Sequence, residues 1–274
     1  MKTFKILSLI AAVVLFTFSA CEKIDPPYKE HGEIEFTGQN ILLEDYTGHT
    51  CVNCPTAAVI AHELKELYGE HLIIIAVHAG SFATPHPGDY ENDYRTETGN
   101  VWNTFFGIQQ YPSGLVNRIQ NSSGNYPIAY DKWGTVVADE LKKLPKAEIS
   151  VSNSFSSGVV TTSITTKFLA EMESTYSLYV GITEDSLISP QKNVNENIGD
   201  TPQIDDYVFM HMLRGSVNGE WGEDIFGNTI EVNKEYKKTY QYTITGDPDN
   251  SHVVAFVYDN ETKSVVQVVE EPVK

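Results

Sequence analysis

The sequence predicts a mixed α/β domain over residues 36–146, followed by an all-β sandwich of immunoglobulin-like size over residues 147–274. The first domain is predicted by a strand–helix–strand order of hydrophobic patterns, with a second amphipathic helix further along the chain. The second is predicted by seven short runs rich in Thr, Val and Tyr, which turn residues separate. Runs of this length and spacing are typical of antiparallel sandwiches.

The N-terminus predicts export and lipid attachment. A basic start precedes an apolar run of about a dozen residues, which is too short for a comfortable membrane span. The run ends in Phe18-Ser19-Ala20-Cys21, and small residues before a cysteine resemble a lipobox. We therefore expect residues 1–20 to be a lipoprotein signal peptide and Cys21 to carry the lipid. The alternative is an ordinary signal peptide cut elsewhere. The polar residues 21–35 are predicted to be a tether.

The charge balance argues against two classes of partner. The chain has 19 Lys and Arg against 37 Asp and Glu, with a formal net charge of −18. Nucleic-acid phosphates favour a basic surface, so no nucleic-acid partner is expected. Anionic lipids also attract basic segments, so membrane attachment is expected through the acyl chains.

The first domain is predicted from its hydrophobic periods. "NILLEDYTG" is predicted to be a strand, and "PTAAVIAHELKELYGEH" has the period of an amphipathic helix. "LIIIAVHAG" is a continuous β-branched run, typical of a strand buried on both faces. This order predicts a right-handed crossover and a parallel pair. Residues 79–110 are expected to form an insertion, before the strand "YPSGLVNRI" and the helix "YDKWGTVVADELKKL".

The seven runs of the second domain are "AEISVSNSF", "VVTTSITTKFL", "TYSLYVGITE", "YVFMHMLRG", "KKTYQYTIT", "HVVAFVYD" and "SVVQVVE". In the fourth run, strand alternation places Met210 and Met212 together in a sheet core. This region offers no catalytic constellation.

Two cysteines, Cys51 and Cys54, carry the chemistry. With Cys21 lipidated, they can pair only with each other, in a compartment where disulfides form. A helix that begins at or just after Cys51 would lower the pKa of that thiol through its dipole. Cys51 would then attack a client disulfide, and Cys54 would release it. His49, when protonated, would lower the thiol pKa further, or it is a solvated turn residue.

The segment from 36 to 145 resembles the thioredoxin superfamily. The resemblance rests on the Cys51–Cys54 motif between strand and helix, on Tyr111-Pro112 before the next strand, and on Asp45 six residues before Cys51. It implies a cis-proline at Pro112 that shapes a peptide groove, with Tyr111 and His49 beside it. It also implies that Asp45, or its neighbour Glu44, transfers protons.

Two features refine this resemblance. Strand alternation is expected to bury only one of the two neighbouring acids, Glu44 and Asp45. Pro55 directly follows the second cysteine, where it is expected to strain or kink the first helical turn.

A second resemblance covers nearly the whole chain after the signal peptide. "LLEDYTGHTCVNCP", "YPSGLVNR" and "VVAFVYDNETKSVVQVVE" are similar to the outer membrane protein 28-related lipoproteins of Gram-negative bacteria. That family combines a lipobox, a thioredoxin-like domain and a β-rich C-terminal domain. The resemblance implies an outer-membrane lipoprotein and leaves open the periplasmic face or the cell surface.

The leading functional prediction is thiol–disulfide exchange with exported proteins, without a cofactor and with an unknown partner that resets the dithiol. One alternative is a permanent structural disulfide, although a two-residue loop constrains the unfolded chain little. Another is a non-enzymatic binding lipoprotein that uses the sandwich, with the thioredoxin-like domain as scaffold. A lesser alternative is Cu(I) handling by the two thiols, with His78 or His86 as a third ligand. No metal site is assigned.

Overall fold

Strand β1 (Ile41–Thr47) and strand β2 (Leu72–His78) are parallel neighbours joined by helix α1 (Cys54–Tyr68), as the sequence predicts. Strand β3 (Ser113–Val116) pairs antiparallel with β1. The computed structural model describes residues 38–274. The predicted signal peptide, Cys21 and the tether over 21–35 lie outside the described residues.

The C-terminal half of the chain supplies nine further strands. They are β4 (Ala147–Ser156), β5 (Val159–Phe168), β6 (Tyr176–Glu184), β7 (Leu187–Lys192), β8 (Gln203–Phe209), β9 (Met212–Ser216), β10 (Glu235–Thr243), β11 (Ser251–Asp259) and β12 (Val265–Pro272). Seven strands form one sheet in the order β12–β11–β6–β9–β2–β1–β3. Strands from both sides of the predicted boundary at 146 and 147 therefore share this sheet.

Helices cover both faces of the β1–β2 end of the sheet. Helix α1 and helix α3 (Trp133–Glu140) bury Ala57, Ala61 and Trp133 against the face that carries Ile41 and Leu43. Helix α2 (Glu97–Phe105) covers the opposite face with a buried tryptophan, Trp102. Short 3-10 turns lie at Gly69–His71, Ser81–Ala83 and Tyr130–Lys132. Coverage on both faces explains why β1 and β2 are almost continuously buried.

The other end of the large sheet packs against a second sheet. Strands β10, β5 and β4 form this three-stranded sheet, and its core faces β6 and β11. The described residues thus form a mixed α/β fold, mostly β-sheet, with three α-helices. None of these helices is long and apolar enough to cross a bilayer.

The fourth predicted strand of the second domain is wrong in its extent. The run "YVFMHMLRG" contains the end of β8 and most of β9, because His211 has a φ of 56° and breaks the extended backbone. Strand β8 leaves the large sheet and pairs with β7, a strand that the sequence analysis did not predict. Consequently Met212 is fully buried, whereas Met210 is 40% exposed and is not in a sheet core.

Candidate functional site

The two cysteines form a disulfide at the start of α1. Cys54 is the first residue of the helix, and Cys51 lies three residues before it in a turn closed by the Cys54 amide and the Cys51 carbonyl oxygen, 3.3 Å apart. The helix therefore begins just after Cys51, at Cys54, and not at Cys51 itself. Pro55 is the second helical residue, where no intrahelical N–H bond is lost. The predicted strain at Pro55 is accordingly wrong.

Both cysteines are buried, each 2% exposed, while Val52 between them is 40% exposed. Residues 191–195, at the end of β7 and just after it, lie against the cysteine turn; we call them the cover segment. The backbone amide of Lys192 donates a hydrogen bond to the His49 carbonyl oxygen at 2.9 Å. The backbone amide of Val194 donates one to the Val52 carbonyl oxygen at 3.2 Å. The cover segment thus binds the backbone on both sides of Cys51.

A buried amide side chain completes this contact. The Nε2 group of Gln191, 1% exposed, donates to the Cys51 carbonyl oxygen at 2.9 Å. Farther along, the Asn195 side-chain amide lies 3.4 Å from the Thr56 hydroxyl. The sequence analysis missed Gln191, because a glutamine 140 residues from the cysteine carries no local signal.

Asp45 lies on the same side of the sheet as the disulfide. Its side chain lines a cavity with Cys54, Ile74 and His78. Burial raises the pKa of Asp45 to about 7, and its Oδ1 atom has no hydrogen-bond partner among the described residues. A carboxyl group with such a pKa can accept or donate a proton near neutral pH.

Glu44 points to the opposite face of β1. Its carboxylate accepts two hydrogen bonds from the Arg118 guanidinium, at 2.7 and 2.8 Å, and both side chains are fully buried. The expectation that only one of the two acids is buried is wrong, because helices cover both faces of this strand. Only Asp45 shares the cavity beside Cys54, so the structure separates the two candidate proton carriers.

The cavity has a volume of about 380 Å³ and lies between α1, the sheet and the end of β8. Its lining is mainly apolar and comprises Asp45, Thr47, Cys54, Ala58, Val59, Ala61, His62, Ile74, Ala76, His78, Gln191, Tyr207, Val208, Phe209, Met210 and His211. Burial lowers the pKa of His78 to about 3, so its ring is neutral at physiological pH. Neither ring nitrogen of His78 has a hydrogen-bond partner among the described residues.

The two other predicted groove residues, His49 and Tyr111, do not line this cavity. The Nε2 atom of His49 is 3.1 Å from the Thr84 carbonyl oxygen, and burial lowers the pKa of His49. His49 is 1% exposed, so the solvated-turn interpretation is wrong, and a lowered pKa disfavours the charged form that would activate Cys51.

Tyr111 contacts the ring of Phe82, with centroids 5.7 Å apart. The Phe82 carbonyl oxygen in turn accepts bonds from the amide and hydroxyl of Thr50, at 3.1 and 2.9 Å. This chain of contacts connects Tyr111 with the cysteine turn. The Tyr111–Pro112 peptide bond is cis, in agreement with the resemblance to thioredoxins.

The described residues contain no cluster of three or more His, Cys, Asp or Glu side chains placed to bind a metal ion. His78 lines the cavity with Cys54, whereas His86 is an exposed residue whose backbone pairs with Tyr90. Of the two candidate third ligands, His78 is thus the one that shares a cavity with Cys54.

Replacing Asp45 with asparagine is expected to flatten the pH dependence of stability between about pH 4 and pH 7. In the unfolded chain Asp45 ionises near its ordinary pKa of about 3.9, but in the folded chain only near 7. The folded chain binds more protons in this window, so its free energy of unfolding falls as the pH rises. Urea unfolding of wild type and Asp45→Asn from pH 4 to pH 8 measures the difference.

His78 contributes with the opposite sign, because its folded pKa is lowered and the unfolded chain binds the proton first as the pH falls. His78 is present in the wild type and in Asp45→Asn, so the difference between their two stability curves reports on Asp45 alone. Parallel stability curves for the two chains would contradict the raised pKa of Asp45.

Solved structures with a similar fold include HBP35 of Porphyromonas gingivalis, which is 17% identical with a TM-score of 0.64 and covers 86% of this chain and 75% of its own. A protein of Agrobacterium tumefaciens is 9% identical with a TM-score of 0.52, covering 85% of this chain and 94% of its own. At such identities the similarity shows the fold alone.

A third solved structure is a domain of the outer membrane lipoprotein Omp28 from Porphyromonas gingivalis, which is 22% identical and covers 48% of this chain and 91% of its own, with a TM-score of 0.32. The family of the chain is shown by a family model and not by these solved structures. No curated protein matches the sequence. The family model described as outer membrane protein Omp28 matches residues 100–274, more than half of the chain. The chain therefore belongs to the Omp28 family of outer membrane proteins.

Proposed function

We propose that this chain is a lipid-anchored thiol–disulfide exchange protein of the outer membrane. Cys21 carries the lipid, and residues 36–146 act as a thioredoxin-like part whose sheet continues into strands of the β-rich part over 147–274, where the three-stranded sheet completes an immunoglobulin-like sandwich. The observation that carries the proposal is that Cys54 and a buried carboxyl group of raised pKa, Asp45, line one cavity. Groups with perturbed pKa values beside a nucleophile are typical of functional sites.

In the reduced protein, the Cys51 thiolate attacks a disulfide of an exported client protein. The client releases one sulfur as a thiolate and stays bound to Cys51 through a mixed disulfide. Cys54 then loses its proton to Asp45 and attacks the Cys51 sulfur. This step releases the second client thiolate and restores the Cys51–Cys54 disulfide. A separate redox partner must then reduce the pair. Pro112 and Tyr111 border the client groove.

Replacing both cysteines with serine tests the proposal. The wild type is expected to accelerate the reduction of a protein disulfide by dithiothreitol at least tenfold, and the Cys51→Ser/Cys54→Ser variant to give only the rate of dithiothreitol alone. Insulin turbidity measures the rate. Ser163→Ala on β5, in the three-stranded sheet that contains none of the strands next to the cysteines, serves as the control. Equal rates for wild type and double variant would count against exchange.

A second candidate function is that of a binding lipoprotein in which the thioredoxin-like domain is a scaffold. The observation that favours it is the cover segment, which binds both sides of the Cys51 turn while both cysteines are 2% exposed. Under this candidate, binding of a protein or glycan partner survives the double serine replacement. Under the leading proposal, exchange is lost.

A further inference from the structure

The cavity beside Cys54 opens at an apolar rim. Val59 on α1, Val208 in β8 and Met210 just after β8 line the cavity and are 39%, 47% and 40% exposed. Ile188 pairs with Val208 across the β7–β8 ladder and extends the apolar surface. A cluster of exposed apolar side chains around a cavity is typical of an interaction site.

The rim also differs in charge from the rest of the protein. The chain carries 37 Asp and Glu, yet the cavity lining contains a single carboxyl group, Asp45, and that group is buried. An acid-free apolar rim in such an acidic chain favours an occupant with an uncharged apolar group.

The C-terminal end of strand β8 borders the cavity. The last three residues of β8, 207–209, line the cavity, and so do Met210 and His211 just beyond the strand. In the described part of the chain, β8 has one strand neighbour, β7, so alternate amides and carbonyls of β8 point away from the ladder. An unpaired strand edge is a template for pairing with an extended polypeptide.

We infer that an extended segment of a client polypeptide adds to the free edge of β8 and places one apolar side chain in the cavity beside Cys54. The volume of about 380 Å³ is near the lower limit of small-molecule pockets and accommodates one large side chain. This site is distinct from the groove at Pro112, because no residue of β3 lines the cavity. The inference rests on the proposed function for the nature of the client.

Binding of a cysteine-free peptide tests the inference without requiring exchange. The probe is a fluorescein-labelled ten-residue peptide with one central phenylalanine, and its partner is the full chain in lipid nanodiscs. Fluorescence anisotropy is expected to give a Kd at least tenfold lower than for the same peptide with serine at the centre. Methylation of alternate backbone nitrogens is expected to weaken binding tenfold, because strand addition needs those donors.

Two variants locate the binding to the cavity. Met210→Glu at the rim and Ala76→Leu in the lining are each expected to raise the Kd at least tenfold. Leu67→Glu, a matched change on α1 at a residue outside the lining, is expected to change it less than twofold. Met210 is exposed, so its variant stays informative if Ala76→Leu does not fold.

Three outcomes would overturn the inference: equal affinity for the phenylalanine and serine peptides, equal losses in Met210→Glu and Leu67→Glu, or binding of free toluene at the cavity without binding of the peptide. The last outcome would assign the cavity to small molecules. If the peptide binds as expected but the wild type does not catalyse exchange, the proposed function fails and the peptide site stands.

Discussion

Replacing Glu44 with glutamine is expected to lower the free energy of unfolding by about 3–5 kcal/mol. The change leaves the Arg118 guanidinium charged, fully buried and without its carboxylate partner. Burial of an uncompensated charge is far costlier than loss of a solvated ion pair. Urea unfolding at neutral pH measures the effect.

The surroundings of Arg118 cannot replace the lost carboxylate. The guanidinium carbon lies 4.2 Å from the ring centre of Trp102 and 4.8 Å from that of Phe256. Such rings attract a cation, but each contact contributes about 0.5–2 kcal/mol and accepts no strong hydrogen bond. The buried site therefore keeps a net positive charge in the variant.

Two controls separate the buried pair from general effects of removing an acid. Glu148→Gln breaks an exposed ion pair with Lys167 and is expected to cost less than about 1 kcal/mol. The Glu44→Leu/Arg118→Met double variant removes both charges, so it is expected to be more stable than Glu44→Gln. If Glu44→Gln and Glu148→Gln lose the same stability, the buried pair does not have the assigned role.

Replacing Cys54 with alanine is expected to abolish catalytic turnover and to trap clients on Cys51. In the proposed mechanism Cys54 supplies the thiolate that breaks the mixed disulfide, so its loss stops the reaction after the first step. Cell-envelope extracts separated on non-reducing gels, with the chain detected by antibody, measure the adducts. We expect bands of higher mass that disappear on treatment with dithiothreitol.

The reciprocal variant is the matched control for trapping. Cys51→Ala keeps Cys54, which faces the cavity, and is expected to form few adducts, because Cys51 is the attacking residue in the proposal. Adducts in Cys51→Ala but none in Cys54→Ala would reverse the roles of the two cysteines. No adducts in either variant would argue against exchange with envelope proteins.

Local patterns predicted the part of the fold that surrounds the cysteines. The short apolar run at 40–48, the helical period after Cys54 and the continuous run at 72–78 predicted β1, α1 and β2, with the two strands parallel. Burial on both faces gives β2 its continuous apolar sequence. The Cys51–Cys54 pairing followed from the cysteine count and is present in the structure.

Long-range contacts account for what local patterns did not predict. The β7–β8 hairpin and the cover segment lie about 140 residues after the cysteines, and nothing in their sequence marks Cys51 as a neighbour of Gln191. The break at His211 depends on a left-handed backbone at a non-glycine residue, which alternation cannot show. Which of the two acids, Glu44 or Asp45, faces the cavity beside Cys54 became clear only when the two faces of β1 were known.

The equilibrium reduction potential of the Cys51–Cys54 pair tests the central claim most directly. It is measured on the full chain in lipid nanodiscs, in graded thiol buffers, by trapping free thiols with a maleimide of defined mass. A dithiol that exchanges with clients is predicted to have a potential between about −120 and −270 mV, the range of known exchange catalysts. A value well below about −300 mV would contradict the account, because it is typical of a structural disulfide.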